Sequence, residues 1–227
     1  MSSGFPNKPR ILKGAFVESG LSLPPLIVPF QFNPEELTRN RTATFAAPDY
    51  VNGENQSLRA FHEREKSLSK IRKLQEVTVS EEEYSFDIRL DATDALNDGD
   101  LIAGLTGVDP QLAALELMLH PKPDSPFEIL RAFRKRGYTF APPKNPPLIL
   151  FIWGLNKILP VNITAMNIKE MQHDARLFPV RATVSVSLTV IEGPNLPYSI
   201  HELKTKVMGA VNFVNVARKF MEMLVPL

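Results

Sequence analysis

The chain has 227 residues (25.4 kDa), with 26 Lys and Arg against 25 Asp and Glu, a formal charge of +1. With 44% hydrophobic and 22% charged residues it has the make-up of a folded protein, and the even charge balance argues against a general nucleic-acid binder, which carries a basic excess on one face. The absence of cysteine excludes disulfide scaffolds, Cys-ligated zinc and iron–sulfur clusters.

Twenty prolines punctuate the chain, which predicts short elements, many turns and extended connections. Residues 1–10 read as a flexible N-terminal arm without the apolar core of a signal peptide. The apolar stretch Leu21–Phe32 holds Pro24, Pro25 and Pro29 and falls short of the roughly 20 residues that span a bilayer. Membrane insertion is not expected. Lys13–Ser19 and Leu26–Phe32 read as two strands joined through Gly20 and the Pro24-Pro25 turn. At Asn33-Pro34-Glu35-Glu36 the pattern predicts one capped helical turn, followed by a strand over Thr38–Phe45.

Residues 46–75 form the least core-like stretch, an inserted arm dense in charge. Leu58, Phe61, Leu68, Ile71 and Leu74 recur at intervals of three or seven, which predicts a short amphipathic helix. Glu76–Leu90 is a strand region in which Tyr84, Phe86, Ile88 and Leu90 share one face. Asp91–Gly107 reads as a loop. A helix over about 109–120 opens at Asp109-Pro110 and carries Leu112, Leu115, Met118 and Leu119.

Phe127–Tyr138 reads as a short basic helix, and the proline pairs after it hold the backbone extended to Leu148. Three strands follow, Leu148–Trp153, Lys157–Asn167 and Phe178–Ile191. In the last, Val180 to Val190 alternate with Arg181, Thr183, Ser185, Ser187 and Thr189 without a break. Ser199 is read as the cap of a C-terminal helix over 199–227, with the stripe Leu203, Val207, Val211, Val214, Ala217, Met221 and Leu224. The fold class is mainly β with two or three accessory helices (α+β), mostly antiparallel.

Catalytic and ligand motifs are weak. His62, His120, His173 and His201 are scattered, and none sits in a metal-binding pattern. Asp94 to Leu105 superficially resembles a calcium loop, but Leu96 and Leu105 occupy ligand positions. The run Glu81-Glu82-Glu83 is a poor acid–base pair, because neighbours on a strand face opposite ways. No phosphate-binding glycine loop and no nucleophile elbow is present. Neither enzyme activity nor a cofactor is expected.

Two segments carry a resemblance. Phe30, Phe32, Asn33 and Pro34 form an F-x-F-N-P turn. Pro146, Pro147, Trp153 and Gly154 frame an apolar strand; Leu159, Pro160 and Val161 follow, then Pro179, Arg181 and Ala182 lead into the long alternating strand. In this order they resemble the tube-type domain of contractile injection systems and phage tails, in the baseplate hub family that often carries a LysM module. Phe178 stands where the family has Asn, and no LysM-like stretch follows the domain.

The resemblance implies a tail-tube-like β-barrel or sandwich over residues 11–198, made in the bacterial cytoplasm and built into a phage-tail-like particle. It also implies a hub or tube-initiator ring, a sixfold homo-oligomer, with inner tube subunits, the spike protein and baseplate wedge proteins as partners. On this reading the arm reaches a neighbouring subunit, and Arg59, Phe61, Arg64, Lys70 and Arg72 are its candidate contact residues. The alternatives are an accessory peptidoglycan- or carbohydrate-binding protein of the same machine and, third, a muralytic enzyme.

Overall fold

The computed structural model describes residues 12–19, 26–48, 57–121, 145–154 and 157–224. The arm at 1–10 and the basic helix expected at Phe127–Tyr138 lie outside them. The chain forms a mixed α+β structure, a curled half-barrel of antiparallel strands with six helices among the described residues.

In chain order the strands are β1 (Gly14–Glu18), β2 (Ile27–Pro29), β3 (Thr38–Asn40), β4 (Ala43–Ala46), β5 (Glu76–Val79), β6 (Glu83–Asp91), β7 (Ile149–Trp153), β8 (Lys157–His173) and β9 (Pro179–Val190). The helices are α1 (Leu58–Arg64), α2 (Leu68–Leu74), α3 (Thr93–Asn97), α4 (Leu101–Thr106), α5 (Asp109–Leu117) and α6 (Leu196–Leu224). Seven strands make the main sheet in the order β2-β1-β7-β8-β9-β6-β3, and β4 and β5 form a separate two-stranded ribbon.

The curl is visible in the core. Three strands lie between β1 and β6, so on a flat sheet these two would stand about 19 Å apart at ~4.8 Å per strand. Yet Phe16 of β1 and Phe86 of β6 stack with ring centroids 6.1 Å apart. Phe30 and Phe151 complete the aromatic cluster, 5.8 and 5.3 Å from Phe86. Leu112, Leu115 and Met118, on and just after α5, are buried in the same core. The buried sides of β6 (Tyr84, Phe86, Ile88, Leu90) and β9 (Ala182 through Val190) follow their alternation, as expected.

Several expectations need correction. The segment after β2 makes no helical turn; Asn33 instead accepts from the Gly14 amide at 2.9 Å and donates to the Leu12 carbonyl at 2.9 Å, tying down the start of β1. The strand expected at Thr38–Phe45 breaks into β3, on the main sheet, and β4, on the ribbon. The arm holds two helices rather than one, broken at residues 65–67. Ser57 caps the first by accepting from the Ala60 amide.

Asp91–Gly107 is mostly helical. Asp100 caps α4 through the amides of Ile102 and Ala103, a signal outweighed in the sequence by the neighbouring Asn and Gly. Helix α5 does begin at Asp109, with Pro110 in its first turn. Asn195, not Ser199, caps α6, accepting from the Tyr198 amide at 2.9 Å. Strand β8 runs to His173, six residues past the expected end, because β9 pairs with it as far as His173 opposite Pro179. A bulge between Ile163 and Ala165 shifts its phase and hides that continuation from a simple alternation test.

Candidate functional site

The outward faces of β6, β8 and β9 form the floor of an open groove of about 1180 Å³. Register places Asp87 opposite Ser185 and Asn167 opposite Ser185 from the other side, with Arg89–Thr183 and Asp91–Arg181 as further rungs. Residues 31–36, leaving β2, form its wall. Glu35 pairs with Arg89 at 3.0 Å, holding that wall to the floor.

Most of the groove's charge is neutralised internally. Arg181 Nε lies 2.7 Å from Asp91 Oδ2. Burial pushes the Asp91 carboxyl up, but the Thr93 hydroxyl and amide and the Arg181 guanidinium outweigh it and hold it below the ordinary carboxylate range. Between the ion pairs lie the Asp87 carboxylate, the hydroxyls of Thr183, Ser185, Ser187 and Ser85, and the Asn167 amide. Such a wall wets and offers hydrogen bonds without a strong field. Among the described residues no group of three or more His, Asp or Glu is placed to hold a metal ion.

The residues singled out in the sequence take different places in this framework. Phe30 is buried in the core while Phe32, 48% exposed, lines the groove with Asn33 and Pro34. Pro147 is buried just before β7, and Trp153 packs on the rim of the core beside Phe30 at 6.5 Å. Gly154 turns the chain after β7 with φ +57°.

Pro160 sits inside β8 at no cost to the ladder. Its carbonyl accepts from Ile191 at 2.8 Å, so its missing N–H faces the end of β9, where pairing stops. Pro179 opens β9 and accepts from the Val108 amide at 2.9 Å. Of the arm residues, Arg59 pairs with Glu63 and Lys70 with Glu65. Arg64 and Arg72 are exposed, whereas Phe61 is buried, so its ring is an anchor of the arm and not part of its surface.

A second polar cluster, not anticipated, lies at the foot of α6. Glu82 is 1% exposed and accepts from the Tyr84 hydroxyl at 2.6 Å. Arg39 pairs with it directly, Arg41 stands at 3.6 Å, and His201 of α6 approaches to 3.8 Å. Lys157 lies over the Tyr84 ring, 4.8 Å from its centroid. The sequence carries a signal for this, because Glu82 is in phase with Tyr84, Phe86, Ile88 and Leu90 and therefore faces inward. The cluster seats α6 on the sheet. Its carboxylate faces cations and a phenol rather than solvent.

Among the described residues no helix is long and apolar enough to cross a membrane. No protein-family model matches this chain, and no curated protein matches it.

Proposed function

We propose that this chain is a structural component of a contractile injection system or phage-tail-like particle, a hub or tube-initiator ring between spike and inner tube. The observation that carries this reading is the two-faced sheet. One side of β6, β8 and β9 packs on the core, while the other presents hydroxyls, an amide, two ion pairs and the charged side chains of Asp87 and Lys169. A tube lumen needs such a wettable wall, built from the strands of several subunits. The tail-tube-like fold belongs to this proposal, as do the sixfold copy number and the neighbours: inner tube, spike and baseplate wedge proteins.

Two features support assembly. The ribbon β4–β5 is exposed along its whole length, and α6 presents Ile200, Leu203, Val207 and Val211 to solvent. Electron microscopy of purified particles, with mass measurement of the isolated protein, tests the reading. The expected result is a ring of identical subunits at the spike end of the tube. A strictly monomeric protein that is missing from the particles overturns it.

The groove favours a second reading, a carbohydrate-binding accessory of the same machine, since the aromatic ring of Phe32 borders a hydroxyl-rich trough. Co-sedimentation with cell-wall sacculi, lost in Phe32→Ala, is its signature.

A further inference from the structure

We infer that the helix pair α1–α2 of one copy docks on the α3–α4 lobe of the next copy, a head-to-tail contact between two complementary ends of the same chain. The inference deepens the ring proposed above and rests on it for its biological setting. Its physical basis is independent.

The two surfaces sit at opposite ends of β6. The ribbon leaves from the Glu83 end, where the Thr42 amide donates to Ser80 Oγ and the Ser80 amide donates to the Thr42 carbonyl. All eight ribbon residues are exposed, so it projects from the sheet and carries α1 and α2 outward. Helix α3 begins two residues beyond the other end of the strand, at Thr93. Nine residues of extended chain place these ends about 27 Å apart at ~3.4 Å per residue. The length of β6 therefore separates the two surfaces.

Their chemistry is complementary. Residues 57–75 carry six Lys and Arg against two Glu, a net charge of +4. The two glutamates already pair with Arg59 and Lys70, so the excess includes Lys66, Arg72 and Lys73, all exposed. Residues 93–109 carry four Asp and no Lys or Arg, a net charge of −4. The neighbouring Arg176 is engaged by the Gly104 carbonyl and by Asp174.

Among the described residues each surface also exposes apolar side chains. Leu68 and Leu74 stand out on α2, and Leu101, Ile102 and Leu105 share one side of α4 at 57 to 81% exposure. A basic apolar surface and an acidic apolar surface on opposite ends make a heterologous pair. Such pairs close into rings or continue as stacks, and charge of this kind fixes register and partner choice.

The test is a charge swap on the full chain, read by sedimentation velocity over a range of salt. Arg72→Glu with Lys73→Glu on the arm, or Asp94→Lys with Asp98→Lys on the lobe, should each weaken self-association on the order of tenfold. Mixing the two variants should restore it, because every contact in the alternating assembly is again attractive. Leu101→Ser with Ile102→Ser tests the apolar half without touching charge, and circular dichroism checks the fold of every variant. If the parent associates but the reversals leave it unchanged, or mixing fails to rescue, this contact is wrong and the ring reading stands. If the swap behaves as expected but particles lack the protein, the contact stands and the hub reading falls. A parent that is monomeric at every concentration overturns both.

Discussion

The side-chain amide of Gln31 pairs with the backbone of Asp91 in both directions, donating to its carbonyl at 2.7 Å and accepting from its amide at 2.8 Å. Gln31 follows β2 at one edge of the sheet, and Asp91 ends β6 next to the opposite edge. One side chain thus completes, with the geometry of a strand rung, a connection the curled sheet leaves open. It also fixes the wall of the groove over its floor.

Removing that rung should be measurable. Gln31→Ala leaves a part-buried donor and acceptor without their partner, a loss of about 1–3 kcal/mol in denaturant unfolding. Gln31→Glu keeps the accepting half but sets a carboxylate against the Asp91 carbonyl, so at neutral pH it should be no better than alanine. Near pH ~4 the new carboxyl takes up a proton and regains a donor, and the glutamate variant should then become the more stable of the two. Equal stability of parent and alanine variant would remove the clamp from the account.

Gly107 offers a sharper test of local geometry. Its φ is +56°, and a Cβ placed there would lie 2.1 Å from the Pro179 carbonyl oxygen, the atom that accepts from Val108. Gly107→Ala should therefore cost at least about 3 kcal/mol, combining left-handed strain with a backbone clash. Gly99 has a similar φ of +74° but open space around it. Gly99→Ala should lose only about 1–2 kcal/mol. Melting curves of the two variants side by side separate strain from clash.

Tyr84 donates its hydroxyl hydrogen bond to buried Glu82. Tyr84→Phe should cost about 1.5–3 kcal/mol, the range for hydrogen bonds to charged groups. Burial pushes the phenol well above its ordinary range, and the hydrogen bond to Glu82 pushes it further. Its folded pKa is raised, so its contribution is full below the unfolded value of about 10 and is lost as pH climbs beyond it. Lys157, pushed down by burial and by Arg39, titrates in the opposite sense. The difference between parent and Tyr84→Phe should therefore be followed at each pH, and it should shrink above pH ~10.

His201 makes the complementary prediction on the acid side. Burial is the largest influence on its imidazole and lowers it; Arg39, Lys157 and Lys204 lower it further, against the pull of Glu82. A depressed folded pKa means stability present above about pH 6.5 and lost as pH falls below it. The melting temperature of the parent should drop between about pH 7.5 and about pH 5, and His201→Leu should flatten that drop. An unchanged slope in the variant would place the acid sensitivity elsewhere.

What can be read in the sequence follows from how far side chains alone dictate structure. The phase of Tyr84 to Leu90 and of Ala182 to Val190 reports burial directly, since one face of each strand must leave water. The same phase marks Glu82 as inward-facing. Asn33 reads as a capping residue, but its partner lies on β1, where no local pattern points. The curl and the Gln31 rung depend on residues far apart in the chain, whereas the extension of β8 is a local hairpin with β9 whose phase the bulge between Ile163 and Ala165 disguises. Helices α3 and α4 are hidden because their caps and turns use the same Asp, Asn and Gly residues that build loops.

Trp153, the only tryptophan, joins the resemblance to the packing. Its ring lies over Gly14, where a Cβ would stand 3.1 Å from Trp153 Cε3 and 2.6 Å from Phe30 Cδ2. The indole thus covers a stretch of bare backbone on β1 while contacting Phe86 and Phe151 at 6.5 and 6.1 Å. Because it sits on the rim of the core, Trp153→Ala should fall near the lower end of the range for losing a large aromatic, about 3 kcal/mol. Trp153→Phe should recover a substantial part, since a phenyl ring still shields Gly14. Gly14→Ala should destabilise by a different route, displacing the Phe30 ring from above β1, and the double variant Gly14→Ala/Trp153→Phe should be less than additive because one contact is shared. Should Trp153→Ala keep the melting temperature of the parent yet abolish assembly, the indole would belong to an interface between subunits and not to the core.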